Sequence, residues 1–294
     1  MLENLFLQEV FTSKMLLCES GLNVIENMIR DTIEGKSIKQ EEIKTVNTSG
    51  LFIPELDDSE ENPFDSFEEN SVAVIPIIGI MLKYGYWWRL GCDDIANLIR
   101  LADQSDMIAG TVLLFNTPGG TTSSIIQLED AMRNRRKKSV ALIDYQCCSG
   151  GIYAASFCDE IYAMNRMCEV GSIGTYASFI NDTEALKKWG YKIEHIYPPE
   201  SKYKNLPERE AIEGKPDRII KEQLTPFATH FQSIIKDNRR KLNQSEEGIL
   251  EGKVFYAYDA VNNGLIDGLK NMEQTVDRVK ELANVQKSIY SSFK

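Results

Sequence analysis

Ser149 stands where a nucleophile could stand. Residues 147–156 read CCSGGIYAAS, directly after the apolar run SVALIDY (139–145). A second glycine pair, Gly119-Gly120, follows Pro118 at the end of another apolar run, TVLLFN (111–116). A serine at a strand-to-helix turn is placed for attack, and a helix N-terminus favours the negative charge that develops. Glycines let backbone N–H groups turn outward, and two of them facing one carbonyl make an oxyanion hole. Taken singly, each glycine pair is also an ordinary turn or helix cap.

A serine needs a base. The chain has two histidines, His195 and His230. His195 falls in the expected strand KIEHIY (192–197) and His230 falls mid-helix between Phe227 and Phe231, so both read as packed or surface residues. A lysine made neutral by burial is the other base. The loop PPESKYKNLPE (198–208) supplies Lys202 and Lys204, which are otherwise solvated surface lysines. Cys147 and Cys148 precede the serine, but a cysteine nucleophile needs a nearby histidine or cation. They read as small packing residues.

The elements that must position these groups alternate. VAVIPIIGIM (72–81), TVLLFN, SVALIDY and EIYAM (160–164) read as strands. DDIANLIRLAD (93–103), SSIIQLEDAMRNRRK (123–137) and GGIYAASFCD (150–159) read as helices. Strand–helix–strand order with continuous apolar strands predicts an α/β fold with a mostly parallel sheet. Helices are also expected from about Pro216 to Leu242, kinked at Pro226, over 257–267 closed at Gly264, and over 271–287. Apolar spacing through Leu5, Val10, Leu16, Leu17, Val24, Ile25 and Met28 predicts one or two helices over residues 1–37. ELDDSEENPFDSFEEN (55–70), with eight acids and no base, reads as a solvated linker. The expected divisions are a helical segment (1–54), that linker (55–70), a main domain (71–270), and a C-terminal helix and tail (271–294).

A chain of 294 residues and net charge −11 can bury a large core, and its acidity argues against broad nucleic-acid binding. Six cysteines with no CxxC spacing, beside two histidines, support neither a disulfide framework nor a zinc site. The first residues, MLENLFLQEVF, lack the basic region of a signal peptide. No run reaches the roughly 18 apolar residues of a membrane helix. The expectation is a soluble cytoplasmic protein without cofactor or metal.

The ordered pieces carry a resemblance. VAVIPIIGIM, FNTPGG (115–120), the SGG turn, GSIGTY (171–176), KYKN (202–205) and AVNNGLIDGL (260–269) stand in the order and spacing of the signal peptide peptidase A family of serine–lysine peptidases. The chain resembles its soluble branch, which includes bacteriophage capsid-maturation proteases. The resemblance covers about residues 71–270 and implies a Clp protease/crotonase fold of stacked β-α-β units. It implies a site between two protomers or two repeats, and a ring-shaped homo-oligomer. It assigns Ser149 as nucleophile, Lys204 as general base, and Ser172 as the residue that orients the lysine. It assigns backbone N–H groups of Gly120 and Gly150 to the oxyanion, with Gly119 the alternative to Gly120. The substrate implied is a polypeptide; in the phage setting it would be a capsid, scaffold or portal protein inside an assembling head. Asn116-Thr117 stand where the family has Asp-Ser, and Glu200-Ser201 precede Lys202 where it has a glycine.

Two other readings compete. A crotonase-like acyl-CoA enzyme shares the fold and its backbone oxyanion hole, but needs a CoA pocket and a carboxylate at the carbonyl site. A catalytically silent assembly or scaffold protein needs neither. Trp87-Trp88 fit a substrate or oligomer contact as well as core packing.

Overall fold

Continuous Val, Ile and Leu runs bury both faces of a strand, and here they do. The computed structural model describes residues 9–10, 14–18, 21, 30, 62–85, 90–178, 183–192 and 194–292. The strands are β1 (Met15–Leu17), β2 (Ser71–Ile78), β3 (Ile108–Thr117), β4 (Gly119–Thr121), β5 (Lys138–Cys148), β6 (Glu160–Ala163), β7 (Glu169–Gly171), β8 (Val254–Tyr256) and β9 (Gly268–Leu269). The main sheet runs β2-β3-β5-β6-β9 with parallel pairing throughout. β7 joins the far half of β5, also parallel, and β8 closes on β7 antiparallel. The α/β class read from the alternation is the observed one.

Helices cover both faces. Leu113, Phe115, Ala141 and Ile143 point into the core with Ile95, Leu98 and Ile99 of helix Cys92–Gln104 and Leu128 and Met132 of helix Ile125–Asn134. The alternate residues Val112, Leu114, Val140 and Leu142 meet Val279 of the long helix Met272–Ser292. Each such buried Val, Leu, Ile, Phe or Met side chain contributes about 1.5–3 kcal/mol. That last helix is pinned by Arg278, whose guanidinium meets the Glu160 carboxylate at 2.6 and 2.8 Å. The Arg278 hydrogen bonds hold Glu160 below the usual carboxylate range. The contribution is present above that usual range and is lost as pH falls through the depressed value. Arg278→Ala is expected to cost about 1–2 kcal/mol, discounted for partial exposure, and to lower the Tm by a few degrees at neutral pH. Thermal unfolding should show a smaller penalty in acid.

One irregularity sets up the site. Phe115 pairs with Ile143 and Thr117 pairs with Cys147, so Asp144–Gln146 bulge from β5 opposite the single residue Asn116. The bulge separates the half of β5 that pairs β6 from the half that pairs β7, and bends the strand end that carries Ser149.

Several expectations are corrected. Met15–Leu17 is a strand, not helix: it finds an open partner in β4, and pairing outweighs its helical spacing. Of KIEHIY, the described residues 192 and 194–197 join no strand ladder, and Ile196 is 92% exposed. The end of the acidic run is anchored by an apolar residue. Phe64, in the 3-10 turn Pro63–Ser66, is buried, and Asn62 caps that turn and donates to Leu101 O at 2.9 Å. The kink at Pro226 is a π turn at Ile220–Leu224 ahead of helix Thr225–Asn238. There the Thr225 N–H reaches back to Ile220 O, and Pro226 has no N–H to offer. Trp87-Trp88 and most of residues 1–61 lie outside the described residues. Among the described residues no helix is long and apolar enough to cross a membrane.

Candidate active site

Ser149 follows the last residue of β5 and caps the short helix Gly150–Ala155. Its backbone sits at φ 53° and ψ −115°, a conformation that side chains rarely adopt and that costs about 1–3 kcal/mol. The surroundings enforce it. The Ser149 N–H donates to Gly171 O at 2.7 Å, and its carbonyl accepts from the Tyr153 N–H at 3.0 Å. A strained strand-to-helix turn is how α/β enzymes lift a serine clear of a sheet end. Among the described residues four non-glycines have positive φ: two asparagines, Asn70 and Asn205, and two serines, Ser149 and Ser172. Asparagine tolerates that region; serine does so at a cost. Both strained serines are residues the sequence singled out.

The β5–β7 register brings the serines side by side, with Cys148 opposite Gly171. Gly171 has φ 123°, and a Cβ there would meet Lys253 O at 2.6 Å. The half-buried Ser172 donates its N–H to the same carbonyl at 2.9 Å.

Across from them lies the first glycine pair. Thr117 Oγ1 donates to Gly79 O at 2.6 Å and accepts the Gly119 N–H at 3.1 Å. The Gly119 amide is therefore occupied by Thr117, and Gly120 is the glycine of this pair that stands opposite Leu16 of β1. Met81 fixes β4 from behind: its N–H donates to Gly119 O at 2.8 Å, and its carbonyl accepts from Thr121 N–H at 3.0 Å. A Cβ on Gly120 would fall inside the Met81 carbonyl. A Cβ on Gly150 would stand 3.5 Å from Gly120 N, so the two candidate donors are neighbours. Thr117, which departs from the family's serine, fits because Gly151 leaves room: a Cβ there would lie 2.6 Å from the Thr117 methyl.

Lys204 is not brought to this cluster. It lies exposed in the turn after Pro199–Ser201, its N–H bonded to Ser201 O at 3.0 Å. Lys202 Nζ rests 5.1 Å over the Tyr203 ring. Elsewhere in residues 189–203, Trp189, Tyr191, Ile196 and Tyr203 are 64–92% exposed. His195 is exposed, and His230 Nε2 lies 3.3 Å from Tyr153 Oη, whose hydroxyl donates to Glu129 at 2.6 Å. Among the described residues neither histidine hydrogen-bonds Ser149.

The two cysteines are fully buried. Burial pushes the Cys147 thiol well above its ordinary range. A hydrogen bond with Cys18, then burial, pushes the Cys148 thiol up as well. Neither is a thiolate near neutral pH. The folded protein at pH 8 is expected to leave both unalkylated by iodoacetamide, as read by peptide mapping, and to modify them only after denaturation. Sequence reasoning missed Thr117 and Met81, whose roles depend on where a backbone carbonyl 38 residues away comes to rest.

A family model described as "Peptidase family S49" matches residues 131–286. That span contains Ser149, Ser172 and Lys204. The chain is 24% identical over 219 residues to "Protease 4" of Haemophilus influenzae, covering 73% of this chain and 35% of that protein. It is 25% identical over 199 residues to "Serine protease SPPA, chloroplastic" of Arabidopsis thaliana, covering 66% of this chain and 29% of that one. The chain thus spans about a third of the length of these relatives. A solved structure of a membrane-bound stomatin-specific protease in complex with a substrate peptide superposes with a TM-score of 0.46 at 17% identity. It covers 70% of this chain and 78% of that one.

Proposed function

The chain belongs to peptidase family S49, and from that premise we propose that it is a serine endopeptidase whose nucleophile is Ser149 and whose general base is Lys204. The observation that carries the reading is the strained turn at Ser149, set against Gly120 and Gly150. In the reaction, Lys204 in its neutral form takes the Ser149 hydroxyl proton as Oγ attacks the substrate carbonyl carbon. The Gly120 and Gly150 N–H groups hold the tetrahedral oxyanion. The C–N bond breaks as the lysine returns the proton to the leaving nitrogen, and water hydrolyses the ester by the same route. Ser172, beside Ser149 on the neighbouring strand, is the positioning residue for the lysine. The domain that does this spans residues 71–270.

The exposure of Lys204, beside the exposed Tyr203, supports a site shared between copies. In that arrangement the loop 198–205 of one subunit reaches Ser149 of the next, and repeating the contact closes a ring-shaped homo-oligomer. The substrate is a polypeptide. By resemblance to the phage branch, the setting we propose is the cytoplasm or an assembling head, with scaffold or portal proteins cut there. The ordered SGG, GSIG and KYK pieces favour this reading over an acyl-CoA enzyme.

A lysine base predicts a direction in pH. Hydrolysis of a quenched fluorescent peptide should rise from pH 6 towards alkaline pH as the neutral amine accumulates. A flat or acid-favoured profile would remove Lys204 from the role.

A further inference from the structure

β1 pairs along β4, the strand that carries Gly119 and Gly120. The Thr122 N–H donates to Lys14 O at 2.8 Å at one end of its ladder with β4, and the Cys18 N–H donates to Pro118 O at 2.9 Å at the other. Antiparallel hydrogen bonds recur at every second residue, so Leu16 and Gly120, paired between those two, form the doubly bonded pair. The Gly120 N–H therefore points at the Leu16 carbonyl oxygen. Gly150 closes on the same atom: a Cβ there would stand 3.6 Å from Leu16 O and 3.5 Å from the Leu16 Cβ. The opposite edge of the segment is also paired. The Met15 N–H donates to Tyr176 O at 3.1 Å. The Met15 carbonyl accepts from the Tyr176 N–H at 3.2 Å and from Thr175 Oγ1 at 3.1 Å.

An extended segment bonded along both edges, with one carbonyl at the Gly120 amide and close to the Gly150 backbone that follows a strained serine, has the geometry of a peptide bound for cleavage. Upstream, Glu9 anchors the same segment. Its Oε1 accepts from Thr121 Oγ1 at 2.6 Å, Ser123 Oγ at 2.8 Å and the Lys83 N–H at 2.7 Å. Leu16 is fully buried, and Ser149 is 1% exposed.

We propose that the Leu16–Leu17 peptide bond is a cleavage site for the chain's own Ser149. We further propose that the cleft takes extended peptides with a leucine-like side chain just before the cut. The inference rests on the peptidase reading above. Ser149 Oγ bonds to the Leu16 carbonyl carbon and the Leu16–Leu17 C–N bond breaks. The hydroxyl proton, carried by the base, ends on the Leu17 nitrogen. Water then releases residues 1–16 and regenerates the serine. Until that cut, the segment fills the cleft and keeps other peptides out; afterwards the cleft opens.

The test is intact-mass spectrometry on the purified full-length chain through a time course, for wild type, Ser149→Ala and Leu16→Asp. Wild type is expected to accumulate a chain beginning at Leu17, and Ser149→Ala to remain whole. Leu16→Asp is expected to trim at least about tenfold more slowly, because an apolar pocket rejects a carboxylate. Since Leu16→Asp could also disturb folding, a synthetic peptide of residues 10–22 is supplied to wild type and is expected to be cut between Leu16 and Leu17. A general peptide mixture digested in parallel separates the two readings. If wild type cleaves that mixture through Ser149 yet neither trims itself nor cuts the 10–22 peptide after Leu16, the inference fails and the peptidase reading stands. If nothing is cleaved in a Ser149-dependent way, both fail.

Discussion

Lys204→Ala is expected to slow peptide hydrolysis by about 10²–10⁴-fold, the range a positioned general base supplies. The substitution lies on an exposed turn, so its effect on stability should stay within about 0.5 kcal/mol. A large catalytic loss without a stability loss is what separates a base from a structural residue. A second result follows from the exposure of Lys204 beside the exposed Tyr203. Where one subunit's lysine serves its neighbour's serine, two inactive variants can complement. Ser149→Ala and Lys204→Ala, unfolded together and refolded as a mixture, should regain up to about a quarter of wild-type activity, since a ring closed by head-to-tail contacts contains intact pairs at that frequency. Each variant alone should stay inactive. No recovery, with mixed oligomers confirmed by native mass spectrometry, would place serine and lysine in one chain.

Gly120→Ala is expected to be the most damaging of the glycine substitutions. Its Cβ would enter the Met81 carbonyl, which is rigid backbone already bonded to Thr121. β4 can admit it only by leaving Met81, and that displaces the Gly120 N–H from the cleft. A misplaced oxyanion donor costs about 10²–10³ in kcat. Stability should fall as well, by about 3 kcal/mol or more, because buried backbone hydrogen bonds are lost with the displacement. Thr117→Val acts through the same turn more mildly. It keeps the shape but leaves the Gly119 N–H without its acceptor, at about 1–3 kcal/mol. Gly120→Ala with activity near wild type would remove Gly120 from the oxyanion hole.

The sheet was legible because its strands are buried on both faces and read as unbroken apolar runs. The strained serines were legible only by type and by motif. No periodicity marks Ser149 as a residue with positive φ, although Gly150-Gly151 after it signal close approach of backbone. What could not be read was pairing over long distance. Met15–Leu17 carries helical spacing and becomes a strand because the edge of β4, about a hundred residues on, lies open to it. KIEHIY reads as a strand, yet none of its described residues (192 and 194–197) joins a sheet. The bulge at Asp144–Gln146 is likewise invisible in SVALIDY, since it arises from the mismatch between β3 and β5 rather than from either alone.

The most direct test of the central claim is digestion of an unbiased peptide mixture, read by mass spectrometry, with wild type, Ser149→Ala and Lys204→Ala side by side. New peptide termini are expected with wild type, none with Ser149→Ala, and at most traces with Lys204→Ala. Cleavage that survives Ser149→Ala would contradict the claim.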